Sequence, residues 1–162
     1  MAKDAVRIDN LRIEDTRIIY RNFGGKPTKF NQQGGRRSVG IVLPSVEDGK
    51  RLLKDGWPVK FLMDRDTGEE DAAFISAKVS YDNKPPKIVL VTNRKQTYLD
   101  AESVDILDYA DIKNVDVVLS PFNYDFAGRT GVSAYVKTMY VTVQEDEFAD
   151  KYNDEDDQFV PF

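Results

Sequence analysis

The chain has 162 residues, 41% of them apolar and 31% charged, with a net charge of −5, which fits one soluble globular domain rather than a disordered chain. It contains no Cys and no His, which excludes disulfides, thiolate or imidazole metal ligands, and catalysis by either side chain. No apolar run approaches the roughly 18 residues of a membrane span, and no signal-peptide core follows Met1, so we expect a cytoplasmic protein without a cofactor.

Short strands dominate the predicted elements. The patterns predict strands over residues 6–13, 17–23, 38–43, 57–63, 73–81, 87–92, 115–122 and 132–143. Two short helices are predicted, one from Ser45 as N-cap to about Lys54 and one over residues 101–107 after Asp100. So few helices favour a mainly β protein, and we expect an OB-fold-like small antiparallel barrel with extra strands and the two helices.

Charge divides the chain into two parts. Residues 145–162 hold eight acids and one base and sum to −7, so the remaining body sums to +2. The sequence therefore predicts a nucleic-acid-binding domain over 1–144 and a disordered acidic tail over 145–162.

Three basic and aromatic segments lie within the body. No acid stands between Asp15 and Glu47, and a second acid-free segment separates Asp82 from Asp100. Cations that follow a phosphate backbone, interleaved with rings that stack on bases, are typical of proteins that bind single strands. A solvated hairpin with its rings in the core is the alternative. The candidate DNA-binding residues are Arg17, Tyr20, Arg21, Phe23, Lys26, Lys29, Phe30, Arg36 and Arg37 in the first segment; Tyr81, Lys84, Lys87, Arg94, Lys95 and Tyr98 in and beside the second; and Tyr124, Phe126, Arg129, Tyr135 and Lys137 in the terminal hairpin.

The last nine residues combine acids with an apolar end. Val160, Pro161 and Phe162 follow an acidic run, an arrangement that suits capture by a hydrophobic pocket with a basic rim on another protein. The acids would also compete with DNA for the cations of the body. The candidate partner-binding residues are Asp154, Glu155, Asp156, Asp157, Phe159, Val160, Pro161 and Phe162. A frayed, solvating tail is the alternative.

Enzymatic motifs are weak. The acids around Asp64 and Asp66 begin like a calcium loop but have no Glu at its closing position, and no phosphate-binding loop or nucleophile elbow is present. A magnesium-dependent nuclease built on Asp64 and Asp66 is the least favoured hypothesis, and we expect neither a metal site nor catalysis.

Two resemblances extend this interpretation. The ending Val160-Pro161-Phe162 resembles the partner-docking terminus of bacterial single-stranded DNA-binding proteins, although Gln158-Phe159 separates it from the acids. The body is similar to single-stranded DNA-binding proteins of tailed bacteriophages, as seen in Arg17-Ile18-Ile19-Tyr20-Arg21-Asn22-Phe23-Gly24-Gly25-Lys26-Pro27, Val79-Ser80-Tyr81-Asp82, Pro85-Pro86-Lys87-Ile88 and Asp146-Glu147-Phe148. That resemblance implies an OB-fold and sequence-tolerant binding of single-stranded DNA in an infected bacterial host.

Function is therefore predicted as protection of single-stranded DNA during phage replication or recombination. The tail would recruit replication or recombination proteins, and the protein would be a monomer or small homo-oligomer. The alternative is a non-enzymatic adaptor between proteins, or a virion-associated β-barrel, whose basic loops face protein.

Overall fold

The computed structural model describes residues 9–27, 34–82, 84–93 and 95–143. Within these ranges the chain forms nine strands and one α-helix, with a 3₁₀ helix at Val104–Asp108. In chain order they are β1 Leu11–Thr16, β2 Ile18–Asn22, β3 Arg37–Val42, α1 Val46–Lys54, β4 Val59–Met63, β5 Glu70–Val79, β6 Lys87–Val91, β7 Gln96–Leu99, β8 Ile112–Phe126 and β9 Arg129–Val143. The tail and its predicted partner-binding residues lie outside the described ranges.

The strands form one mixed sheet in the order β1-β8-β9-β5-β3-β2. All neighbours along this path are antiparallel except β5 and β9, which are parallel. β6 also pairs with β9 in parallel, so the prediction of an antiparallel barrel is wrong in this respect. Both parallel pairs join strands that are far apart in the chain, where a long connection allows parallel pairing. The ends of the path, β1 and β2, are consecutive in the chain and separated by Arg17 alone. The sheet therefore curls back on itself, which is consistent with an OB-like fold, and β4, β6 and β7 are the extra strands.

The bend between β1 and β2 is fixed by contacts to β3. The amide of Val42 donates a hydrogen bond to the carbonyl of Arg17 at 3.1 Å, and the hydroxyl of Thr16 donates to the carbonyl of Val42. The register of β1 against β8 also shifts between Ile13 and Thr16. One continuous segment therefore supplies both end strands of the sheet.

The core lies inside the curled sheet. Alternate residues of β3, β5, β8 and β9 point inward, as the period of two in a strand requires. The fully buried side chains include Ile41, Ile75, Leu119 and Met139. Trp57 is also buried, at 3% exposure.

The helices differ in how well they were predicted. α1 forms where expected, and the Ser45 side chain accepts a hydrogen bond from the amide of Asp48, as an N-cap does. The second predicted helix is not an α-helix. Asp100 instead closes a turn, since its carboxylate accepts hydrogen bonds from the Ser103 amide and hydroxyl, and only the short 3₁₀ helix follows. Strand β7 was not predicted.

The terminal hairpin is longer than predicted. β8 and β9 pair from Ile112 with Val143 to Phe126 with Arg129. β1 pairs with β8 over residues 115–119, and β6 pairs with β9 over residues 138–142. β5 pairs with β9 only at Ala134 and Tyr135. The far half of the hairpin, residues 121–133, therefore extends beyond the strands that flank it.

Candidate nucleic-acid interface

A groove of about 1240 Å³ crosses the outer face of the sheet where β2, β3 and β5 lie side by side. Ser38 and Gly40 of β3 pair with Lys78 and Ser76 of β5, so outward residues of both strands form its floor. The lining residues are Tyr20, Arg21, Asn22, Lys26, Gly35, Arg36, Arg37, Ser38, Val39, Gly40, Lys60, Phe74, Ser76, Lys78, Val79, Ser80, Tyr81, Asp82, Ala101 and Tyr135.

Positive charge dominates this groove. Six of its lining residues are basic and one, Asp82, is acidic; the basic ones are Arg21, Lys26, Arg36, Arg37, Lys60 and Lys78. Among the described residues, the ion pairs of the structure join Arg12 to Glu14, Lys50 to Glu70 and Arg51 to Asp48, all outside the groove. The groove cations are therefore not neutralised by a described carboxylate, and an anion is the partner they suit.

Two aromatic rings share the groove floor. The ring centroids of Tyr20 and Phe74 lie 5.5 Å apart with the planes inclined by 58°, and Tyr20 is 66% exposed. The β2–β3 register shifts between Ile19 and Asn22, and Tyr20 has a positive φ of 50°. Such a bulge redirects a side chain. It leaves the Tyr20 ring at the surface, where a base can stack on it.

Arg37 links the groove to the turn that precedes the 3₁₀ helix. Its Nη1 donates hydrogen bonds to the carbonyls of Ala101 at 2.8 Å and Phe23 at 3.3 Å, and its guanidinium lies 5.2 Å from the ring centroid of Tyr81. Burial raises the pKa of Tyr81 above its ordinary value, while the charge of Arg37 opposes that rise. Arg37 therefore supports the wall of the groove as well as contributing charge to it.

The turn at Gly24 is tied to the 3₁₀ helix. The Asp108 carboxylate accepts hydrogen bonds from the amides of Phe23 at 2.7 Å and Gly24 at 2.9 Å. Nη1 of Arg21 donates to the carbonyls of Leu107 at 2.9 Å and Ala110 at 2.7 Å. A cation at a helix C-terminus satisfies carbonyls that have no partner within the helix. These contacts hold one rim of the groove in place.

Lys26 and Tyr109 extend this rim. The Lys26 ammonium lies 4.3 Å from the ring centroid of Tyr109, within cation–π range, and Tyr109 is 71% exposed. Lys26 was predicted from the sequence and Tyr109 was not. A phosphate near Lys26 would have an exposed ring beside it.

The opposite end of the groove reaches the β8–β9 hairpin. Tyr135 pairs in register with Lys78, whose ammonium lies 5.8 Å from the Tyr135 ring centroid. Phe122, 57% exposed, packs edge-on against Tyr135 with centroids 6.1 Å apart. The groove thus ends in a second group of rings next to a lysine.

The structure sorts the predicted residues into four groups. Those brought together in the groove are Tyr20, Arg21, Lys26, Arg36, Arg37, Tyr81 and Tyr135. Those described elsewhere on the surface are Arg17, Lys84, Lys87, Lys95, Tyr98, Tyr124, Arg129 and Lys137. Lys29, Phe30 and Arg94 lie outside the described residues, as does the side chain of Phe126. Phe23 alone is fully buried.

Phe23 is a correction to the sequence-based prediction. Its side chain is 0% exposed and packs in the core, so its ring cannot stack on a base in this structure. The bulge before Asn22 and the turn at Gly24 place Phe23 inward although Tyr20 faces outward. Arg17 lies apart as well, since it lines a smaller pocket with Asp15, Asp71 and Lys113.

Lys60, Phe74 and Lys78 are groove residues that the sequence analysis missed. Lys60 pairs with Phe74 across β4 and β5, and Lys78 lies further along β5. A signal was available, because polar residues at alternate positions of a strand mark its outward face. The sequence does not show which outward face the basic loops border.

The acids around Asp64 form a turn. Its Oδ1 accepts hydrogen bonds from the amides of Asp66 at 2.7 Å and Thr67 at 3.2 Å. Across the described ranges no three acidic side chains group as metal ligands would. None of the helices described is long and apolar enough to cross a membrane.

An OB-like sheet with a cationic groove and exposed rings on its outer face is typical of the class of single-stranded nucleic-acid-binding proteins. Residues 2–158 match the model of the phage ssDNA-binding domain family, and the chain belongs to that family. No curated protein sequence matches it.

Solved structures of one phage protein share the fold. The C-terminally truncated single-stranded DNA-binding protein of bacteriophage Enc34 aligns with a TM-score of 0.56 at 14% identity, covering 85% of this chain and 87% of that one. The same protein without that truncation gives a TM-score of 0.54 at 14% identity, with 89% and 90% covered. Its complex with ssDNA gives 0.52 at 15% identity, with 86% and 89% covered.

Proposed function

We propose that this chain binds single-stranded DNA along the groove, with little dependence on base sequence, and protects it during phage replication or recombination. The observation that carries the proposal is the groove itself, which combines six cations without a described carboxylate partner and exposed rings. Membership of the phage ssDNA-binding domain family supports it, as does the Enc34 protein described in complex with ssDNA. The protein acts in the cytoplasm of the infected host and leaves the DNA chemically unchanged.

Binding would divide between the sugar-phosphate backbone and the bases. Lys60 and Lys78 extend from the groove floor and have no described carboxylate within ion-pair distance, so they are free to contact phosphates. Tyr20 and Tyr135 lie towards opposite ends of the floor and would stack on bases. Since every base has a π-face, stacking tolerates any sequence and is worth about 1–3 kcal/mol per base.

The acidic tail, residues 145–162, is proposed to regulate binding. The eight acids of the tail would compete with phosphates for the Arg and Lys side chains of the groove. Its apolar end, Val160-Pro161-Phe162, would dock on replication or recombination proteins. Removal of residues 154–162 should tighten DNA binding at low salt and abolish partner recruitment.

A salt-dependent titration tests the groove. Oligo-dT is added to wild type, Lys60→Ala, Lys78→Ala and the double variant at several NaCl concentrations, and binding is followed by fluorescence anisotropy. For every phosphate that a variant no longer neutralises, the slope of log K against log salt should become shallower by about 0.7. Lys113→Ala is the matched control, because Lys113 is an exposed lysine of β8 that lines the other pocket.

Several results would contradict the proposal. Absence of binding to oligo-dT at micromolar protein and low salt would favour the adaptor or virion barrel. Equal slopes for the groove variants and Lys113→Ala would place the DNA elsewhere. Shortening of the oligonucleotide in Mg²⁺ would show catalysis.

A further inference from the structure

A lysine lies between two tyrosines on the outer face of β6, β7 and β9. Nζ of Lys87 is 5.6 Å from the ring centroid of Tyr98 and 5.4 Å from that of Tyr140. Hydrogen bonding to the Tyr140 hydroxyl is the main cause that raises the pKa of Lys87, and Tyr98 contributes as well. Tyr98 is 68% exposed. We call Lys87, Tyr98 and Tyr140 the outer cluster.

Register fixes the outer cluster. Val89 of β6 pairs with Tyr98 on one side and with Tyr140 on the other. Val89 is 0% exposed but is not part of the core cluster, and it has a tyrosine opposite it on each neighbouring strand. The ammonium of Lys87, two residues earlier on β6, therefore has a phenol on each side. The Lys87 ammonium can therefore contact a phosphate, and the rings on the two neighbouring strands are surfaces on which a base can stack.

β9 connects the outer cluster to the groove. Tyr135 lines the groove, and Tyr140 lies further along the same strand. The inward residues Val136 and Met139 are separated by two residues, because the β8–β9 register skips Lys137. Tyr135 and Tyr140 therefore lie on the same outer side of β9. Five residues at about 3.3 Å each put them about 16 Å apart along the strand, with the exposed Lys137 between them.

We propose that the outer cluster is a second binding subsite for single-stranded DNA, which receives the part of a strand that leaves the groove at Tyr135. This inference rests on the proposed function of the groove. Lys87 contacts a phosphate, and the exposed ring of Tyr98 stacks on a base.

The charges beside the outer cluster indicate the direction in which the DNA strand would leave β9. Asp116 pairs with Tyr140 from the β8 side, and its carboxylate accepts a hydrogen bond from the amide of Asp15. Phosphates are repelled on that side. On the other side, the sequence from residue 83 to residue 99 has no acid, and Lys84 and Lys95 are exposed. The strand would therefore leave β9 towards β7.

Oligonucleotide length separates the outer cluster from the groove. OB folds cover about 4–16 nucleotides, so the full-length chain is titrated with oligo-dT of about 5 and about 16 nucleotides. Tyr98→Ala should weaken binding of the longer strand about 5- to 150-fold and leave the shorter one unchanged. Lys87→Ala should also weaken only the longer strand, and Tyr98→Phe should retain wild-type affinity because it keeps the ring. Lys113→Ala is the control for the removal of an exposed lysine.

Other outcomes overturn the inference. If Tyr98→Ala leaves both affinities unchanged while wild type binds both strands, the outer cluster takes no DNA. If both affinities fall equally, Tyr98 acts on the groove itself and no second subsite exists. A change in sedimentation behaviour without a change in affinity would assign the cluster to contact with a second copy of the chain. Failure of wild type to bind either strand would instead overturn the proposed function of the groove.

Discussion

The rings of Tyr20 and Phe74 are in contact across β3, although neither residue lies on that strand. Their rings lie 5.5 Å apart, yet Tyr20 lies on β2, Phe74 lies on β5, and β3 separates the two. The contact is possible because β3 has Gly40 at this point. A Cβ on Gly40 would stand 3.0 Å from Cδ2 of Phe74 and 2.9 Å from Cγ1 of Ile19. The aromatic floor of the groove thus depends on glycine at position 40, which has no side chain, and on the bulge in β2 that turns Tyr20 outward.

The first prediction concerns the exposed ring of Tyr20. Tyr20→Ala should weaken oligo-dT binding by about 1–3 kcal/mol, because it removes a stacking surface. Tyr20→Gly should weaken binding equally but unfold at higher denaturant than Tyr20→Ala, since only glycine adopts the positive φ of 50° without strain. Anisotropy titrations and urea denaturation measure the two effects.

Tyr20→Phe is the control for this pair, because it keeps the ring and removes only the hydroxyl. Its affinity for oligo-dT should remain close to that of wild type. Wild-type affinity in Tyr20→Ala would show that the ring takes no base.

The second prediction concerns Gly40. Gly40→Ala should displace Phe74 or Ile19 and lower the free energy of unfolding by about 1–3 kcal/mol, as overpacking does. Binding of oligo-dT should fall with it, because Tyr20 contacts Phe74 and follows Ile19 in the chain, so either displacement shifts the Tyr20 ring. Ser38→Ala, on the same strand and face, is the matched control and should change neither urea denaturation nor affinity strongly. An unchanged free energy of unfolding in Gly40→Ala would mean that Ile19 and Phe74 make room for the added methyl group without cost, which would contradict the prediction.

Much of the fold could be predicted from the sequence, because strand alternation and cap chemistry are local. Ser45 was predicted to cap α1, and it does. The helix after Asp100 was predicted wrongly, because the same residue types that cap a helix also close a turn. β7 was missed because its four residues follow a basic turn and alternate weakly.

The candidate site could be predicted only in part, since it depends on which strands become neighbours. Tyr20 and Phe23 stand three residues apart in one basic segment, yet one is 66% exposed and the other 0%. The bulge between them decides the difference, and no residue in the segment marks it. Lys60 and Lys78 lie in apolar strands far from the basic segment, and only the sheet order brings them to it.

The third prediction tests the hydrogen bonds that join the turn at Gly24 to the 3₁₀ helix. Asp108→Ala removes the acceptor for the amides of Phe23 and Gly24 and should lower the free energy of unfolding by about 1–3 kcal/mol. Urea denaturation measures the loss. Asp105→Ala, which removes an exposed acid of the same 3₁₀ helix, is the control and should have little effect. A similar loss in both variants would point to charge rather than to the two hydrogen bonds.

The fourth prediction concerns pH and Tyr81. Burial, opposed by the charge of Arg37, raises its pKa in the folded protein above the ordinary value of 10.0. In the unfolded chain the phenol ionises near pH 10, whereas in the folded chain it stays neutral to higher pH. Its contribution to stability is therefore complete below pH 10 and is lost as the pH rises through the folded pKa. The free energy of unfolding of wild type should fall in that window more than that of Tyr81→Phe.

Tyrosinate absorbance near 295 nm tests this directly. The titration of folded Tyr81→Phe, subtracted from that of wild type, gives the ionisation of Tyr81 alone and should have its midpoint above pH 10. The variant also lacks the hydrogen bond from the Tyr81 hydroxyl to the Leu99 carbonyl at 3.3 Å, so its stability at pH 7 should be slightly lower. A midpoint at or below pH 10 would mean that Arg37, 5.2 Å from the ring centroid, outweighs burial in this wall of the groove.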